Sequence, residues 1–151
     1  MKKTLLIFSL LCGILAFSCK KANDTNTAQT QAQLLTQSPW KLTGIAFYFN
    51  GAWNAQPLDN YFLSFVRFNT ITYAANGAFS YVDGNGVHDT GTYTVTATAI
   101  TTSPTQQQTQ AASIVTLSAT TLVTSYTFSP IGFQDGKTSF TATGVQETFT
   151  H

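Results

Sequence analysis

The groups able to move protons near neutral pH in this 151-residue chain are two histidines, His88 and His151. His151 is the last residue, where fraying is the default. His88 and Asp89 follow Asp83-Gly84-Asn85-Gly86, and Asp83, Asn85 and Asp89 together suggest an oxygen-ligand calcium loop. That loop needs a bidentate Glu at its twelfth position, which is missing, and Val87 stands where a ligand belongs. A polar hairpin turn is the expectation. Asp59, Asp135 and Glu147 are far apart and show no local spacing of a glycosidase carboxylate pair, although such pairs generally come from separate strands. The chain contains no Gly-x-Ser-x-Gly elbow, phosphate loop, dinucleotide fingerprint or His-Glu-x-x-His. Catalysis is not expected, and no metal or cofactor is implied.

The amino terminus carries a different chemistry. Lys2-Lys3 gives a positive start, and Leu5 to Phe17 is an apolar run of 13 residues, shorter than the roughly 20 needed to cross a bilayer as a helix. This is the layout of an export signal over residues 1–18, ending before Cys19. Its removal leaves 133 residues with one cysteine, which excludes disulfides and Cys-based metal sites. Five Lys and Arg then face six Asp and Glu, too few basic groups for a nucleic-acid surface.

The stretch Ala16-Phe17-Ser18-Cys19 resembles a bacterial lipobox, with Leu15 one position off the usual leucine and Phe17 where a small residue is common. The resemblance implies that Cys19 is the lipid attachment site, its thiol diacylated and its freed amine acylated with palmitate-type chains. Lys20, rather than Asp, after the cysteine implies the outer membrane of a Gram-negative cell, with the domain facing the periplasm. Two or three acyl chains suffice for stable anchoring, at about 0.8 kcal/mol per buried CH₂. Residues 19–38 are rich in Asn, Thr, Gln and Ala, with one apolar pair, Leu34-Leu35, and read as a flexible tether to a domain over 39–151.

The elements of that domain follow from composition. Twenty-seven threonines, 13% aromatics and a single Glu favour strands over helices. Turn signals recur every 8 to 12 residues, as in all-β folds. Trp40–Phe49 reads as the first strand, with a bulge at Gly44. Residues 58–66 have helical spacing and predict a short helix. Asn76-Gly77 joins Ile71-Thr72-Tyr73 to Phe79-Ser80-Tyr81 as a hairpin. Gly91 to Thr96 alternates strictly, Ser113–Ser118 and Thr121–Phe128 pair around Ala119-Thr120, and the last strand, 138–151, bulges at Gly144. About eight antiparallel strands in a meander predict an up-and-down barrel, whose closure also protects the edges of a charge-poor sheet.

Alternation places Trp40, Leu42, Ile71, Tyr73, Phe79, Tyr81, Tyr93, Val95, Val115, Leu117, Leu122, Tyr126, Phe128 and Phe140 as candidate pocket or core lining. An eight-stranded barrel is either just filled by such side chains or just holds one small ligand. Tyr73, Tyr81, Tyr93 and Tyr126 would be the orienting polar groups of an apolar cavity of several hundred Å³. Trp53, in an expected loop, is a candidate rim residue.

Trp40 at the head of the first strand, the run Asn69 to Tyr73 with Asn76-Gly77 and Phe79, and Gly91-Thr92-Tyr93-Thr94-Val95 together resemble the bacterial lipocalin-like lipoproteins. The hairpin Leu117 to Leu122 fits the same pattern. Lipocalins proper carry Gly-x-Trp and a late Arg packed over the Trp; here the triplet is Ser38-Pro39-Trp40 and no Arg follows Arg67, so that closure is not carried over. The resemblance implies a lipid-anchored barrel, its membrane contact made through Cys19, that binds a small apolar or amphiphilic ligand. The alternative is a filled barrel acting as an accessory envelope lipoprotein through protein contacts; neither names a protein partner.

Overall fold

The structure, a computed structural model, describes residues 29–37, 39–134 and 139–151. The expected export signal, Cys19, the first part of the tether and Asp135 lie outside the described residues. Eight strands close an antiparallel barrel and a ninth is added to its outside.

In chain order the elements are α1 (Gln31–Leu35), β1 (Trp40–Phe49), β2 (Ala52–Gln56), α2 (Asn60–Leu63), β3 (Thr70–Tyr73), β4 (Ala78–Val82), β5 (His88–Val95), β6 (Ala99–Pro104), β7 (Gln110–Leu117), β8 (Thr121–Gln134) and β9 (Ser139–Thr150). From β3 onward each strand pairs with the next, and β9 returns to β1 from Lys41↔Thr150 to Tyr48↔Gly144. The expected bulge near Gly44 is there, between Leu42 and Gly44, and it resets the inward face from Trp40 and Leu42 to Ile45 and Phe47. The bulge expected at Gly144 lies opposite it instead, on β8 between Thr127 and Ile131.

Two expectations are corrected by local geometry. Val115 is 52% exposed rather than inward. Ile114 pairs with Thr124 and Thr116 with Val123, so Val115 is the extra residue of a bulge that hands the inward face to Ile114 and Leu117. Trp53 lies on β2, not in a loop. Asn50 and Gly51 both have positive φ, 53° and 77°, which makes the tight turn that folds Ala52–Gln56 back onto β1. His88 and Asp89 likewise open β5, opposite Val82 and Tyr81, rather than sitting in the turn before it.

Residues 31–35, expected in the flexible tether, are helical. Gln31–Leu35 forms a helix because Thr30 and Gln33 make a reciprocal capping box, and Leu35 is fully buried. The Trp40 indole N–H donates to the Leu35 carbonyl at 2.8 Å, and the Gln31 side-chain amide donates to Ala97 O at 2.7 Å. These bonds fix α1 across the barrel end where β1 begins, and His151 stands edge-on to Trp40 there, 4.5 Å between centroids.

The other end is closed by rings. Residues 131–134 and 139–142 of β8 and β9 pair beyond the barrel, and Phe133 lies 4.3 Å from Phe47 and 5.2 Å from Phe140. Phe62 of α2, capped by the Asp59 carboxylate, joins this cluster. Each fully buried ring of this kind contributes roughly 2–3 kcal/mol of transfer free energy. Gly84 packs against the last turn of α2 so closely that a Cβ would lie 1.6 Å from the Leu63 carbonyl oxygen.

The barrel wall is thin in two places: β1 and β3 pair only at Trp40↔Ile71 and Lys41↔Thr70, and β7 and β8 part at one end. β7 pairs with β8 only from Ser113↔Ser125 to Leu117↔Leu122, while Gln110–Ala112 stays on β6 and Tyr126 onward stays on β9. The two strands therefore part toward the α2 end. The free stretch of β8 carries Pro130 and the bulge, both of which blunt an open edge.

Candidate functional site

Glu147, the only glutamate in the chain, points into the barrel and is 3% exposed. Its strand neighbours across the sheet are Ile45 and Thr124, and it shares its inward face with Val145 and Phe149. Among the described residues Glu147 Oε1 has no hydrogen-bond partner. Burial raises the carboxyl from 4.5 to about 7, against a backbone N–H bond from Arg67 and the charge of its guanidinium, which both favour ionisation.

The carboxylate faces a cavity of about 20 Å³, lined among others by Arg67, Tyr73, Thr102, Gln110, Thr124 and Tyr126. That is room for about one water. Burial pushes the hydroxyls of Tyr73 and Tyr126 well above the ordinary phenol range, and the charge of Glu147 adds to it. They remain neutral donors and acceptors throughout physiological pH.

Arg67 closes this space on the side of the β6–β7 loop. It follows α2, and its guanidinium donates to Gln107 Oε1 at 3.0 Å, to Gln110 Oε1 and to Gln108 O. All three acceptors are neutral amide oxygens. Burial lowers the pKa of Arg67, with Tyr126, Tyr81 and Glu147 acting in the opposite sense, and it stays charged.

Outside the wall, Gln110 and Tyr126 also line a groove of about 230 Å³ with Trp53, Ala111, Ser113, Ser125 and Thr127. Trp53 is 42% exposed and Tyr48 37%, their rings 5.2 Å apart. Gly144 makes their seat, since a Cβ there would come within 3.3 Å of the Trp53 ring. The inner cavity and the outer groove thus share two side chains, at the place where β7 and β8 part.

The expected lining residues divide accordingly. Trp40, Leu42, Ile71, Tyr73, Phe79, Tyr81, Tyr93 and Leu122 are buried; Val95, Leu117, Tyr126, Phe128 and Phe140 are partly buried against that core. Only Tyr73 and Tyr126 of the four tyrosines reach the cavity. Tyr93 donates to Ala74 O at 3.0 Å, and Tyr81 to Asp89 Oδ2 at 3.1 Å. The four do not frame one large space, because rings fill the interior between them.

The acidic residues near His88 are spent on structure. Asp83 Oδ1 accepts the N–H groups of Asn85 and Val87, both at 2.8 Å, and so shapes its own turn. Burial pushes Asp89 up, but bonds from Thr90, Thr105, Gln106 and Tyr81 outweigh it and hold the carboxyl below its ordinary range. Burial and the bond to Asp89 push Tyr81 up to about 12. His88 is exposed on the outer wall, and among the described residues no three His, Cys, Asp or Glu side chains come together.

Glu147 and Arg67 carry the polar character of the interior, and the sequence reading passed over both as sites. The parity of β9, with Val145, Glu147 and Phe149 on one face, was the available signal for the first. Nothing local marks Arg67, whose partners come from a loop some forty residues away. No protein-family model matches the chain, and no curated protein matches its sequence.

Proposed function

We propose that this chain is a lipid-anchored envelope protein, similar to the bacterial lipocalin-like lipoproteins, whose barrel holds the polar end of a small amphiphilic molecule. The observation that carries the reading is the unpartnered Glu147 oxygen, buried in a mostly apolar interior and facing a space beside the parting of β7 and β8. A buried polar atom without a partner costs free energy on the order of 1–3 kcal/mol, which a bound donor recovers. The volume speaks against a wholly apolar guest, since the apolar part of the interior is already filled.

Native mass spectrometry of the chain purified gently from its host tests this. A retained small-molecule mass is expected; a bare polypeptide that also fails to take up a fluorescent single-chain amphiphile refutes it. Anchoring through Cys19 is tested separately by Cys19→Ala, which should move the protein out of the membrane fraction. A second reading, a filled accessory barrel acting on a protein, is favoured by the small interior volume, and a co-purifying protein without any small-molecule mass would support it.

A further inference from the structure

We infer that the Glu147 cavity takes the primary ammonium of a small zwitterion whose anionic group is held by Arg67, an assignment that rests on the ligand-binding reading above. Four observations converge on it.

The floor of the cavity is an acceptor in search of donors. Ionised Glu147 can only accept, its Oε1 has no partner, and the donors able to face it are a hydroxyl, water or an ammonium. The titratable and charged groups around it are Arg67, Tyr73 and Tyr126.

Size then selects the donor. About 20 Å³ admits one water or a group of similar bulk. An –NH₃⁺ group meets that limit, and a trimethylammonium does not.

Charge selects the rest of the molecule. A lone cation would be opposed by Arg67 and a lone anion by Glu147, whereas a dipolar ligand satisfies both and leaves the site neutral. Among the described residues the Arg67 guanidinium donates to neutral amide oxygens only, and a carboxylate or phosphate oxygen binds a guanidinium roughly twice as strongly as a neutral acceptor does. The ligand anion therefore displaces the Gln110 side chain, which is also one of the two side chains shared with the outer groove.

The path is the parting of β7 and β8. With Gln110 moved, the inner cavity joins the groove beneath Trp53, and whatever is attached to the zwitterion lies there against the indole. The shared chemistry is an ammonium and an oxyanion separated by a short linker. A free phosphoethanolamine or amino acid has it, and so does the headgroup of an ethanolamine phospholipid.

The test titrates the full chain, in nonionic detergent at pH 8, with phosphoethanolamine and with phosphocholine by calorimetry. Phosphoethanolamine is expected to bind at least ten-fold more tightly. Glu147→Gln should abolish that preference, and Arg67→Gln should weaken both ligands by a similar factor. Equal affinities, or a preference that survives Glu147→Gln, overturn the assignment and leave a structural water only. The ratio is measured on the unmodified chain, so it stands even if a variant fails to fold. If neither zwitterion binds but a fluorescent single-chain amphiphile does, this inference falls and the broader reading survives; if nothing binds, both fall. Native spectra of the chain released from phosphatidylethanolamine or phosphatidylcholine nanodiscs separate the sources. Retention of one ethanolamine lipid assigns a membrane headgroup, and binding in solution without lipid retention assigns a free metabolite.

Discussion

Replacing Glu147 by glutamine keeps the shape of the side chain and removes its titration. In the native chain the carboxyl is raised from 4.5 to about 7 by burial. A carboxyl raised in the folded state binds more protons there than when unfolded, so its contribution is fully present below about pH 4.5 and is lost as pH rises through about 7. Between pH 5 and pH 8 the two values correspond to a loss of about 2.5 kcal/mol. At an ordinary urea dependence of about 2 kcal/mol per M, that is a fall of roughly 1 M in the unfolding midpoint. Urea melts of both proteins at pH 5, 6, 7 and 8, followed by far-ultraviolet circular dichroism, read it directly. The glutamine variant should lack this slope, match the native chain near pH 5 and exceed it at pH 8. Parallel pH profiles would refute the claim that burial raises the Glu147 carboxyl.

Other perturbations test the frame around the site. Gly91→Ala places a Cβ 2.4 Å from the Ser103 carbonyl oxygen and 2.7 Å from Phe79, so a loss of about 3 kcal/mol or more is expected in the same urea assay. Trp40→Phe removes the indole bond to Leu35 O and should cost about 1–2 kcal/mol, with amide exchange accelerating first in Gln31–Leu35. Val115→Thr, on the outer face of its bulge, should change stability by less than about 0.5 kcal/mol; a loss of 2 kcal/mol would return Val115 to the core.

The barrel was legible in the sequence where alternation and turn chemistry agree. Trp40–Phe49, Thr70–Tyr73 and the Gly91–Val95 run appear as strands with the expected residues inward, because threonine and aromatic side chains sort cleanly to opposite faces. Val115 was misread because a bulge shifts parity without any glycine to mark it. β2 was missed although Asn50-Gly51 carries the same signal as Asn76-Gly77; the strand it starts, AWNAQ, has no apolar alternation since neither of its faces lies inside the barrel. Residues 31–35 look like tether by composition, and only the burial of Leu35 beneath Trp40 makes them part of the domain. The site was less legible than the fold. A carboxylate in a strand reads as solvent-facing by base rate, and the partners that define Arg67 come from a glutamine-rich loop that composition alone describes as solvated.

The seam between β1 and β9 sets the order in which the molecule can form. Thr43 donates to the Thr148 carbonyl at 3.3 Å across 105 positions of sequence, and β1, whose local partner β2 covers only Ile45–Phe49, waits for β9 on its other edge. Hairpins from β3 to β8 are local and can assemble early, but the ring is completed only when β9, the last strand in chain order, reaches β1. Such distant pairing slows folding. A nascent or shortened chain lacking its final dozen residues would stay an open sheet, with β1 and β8 exposed to one another's copies.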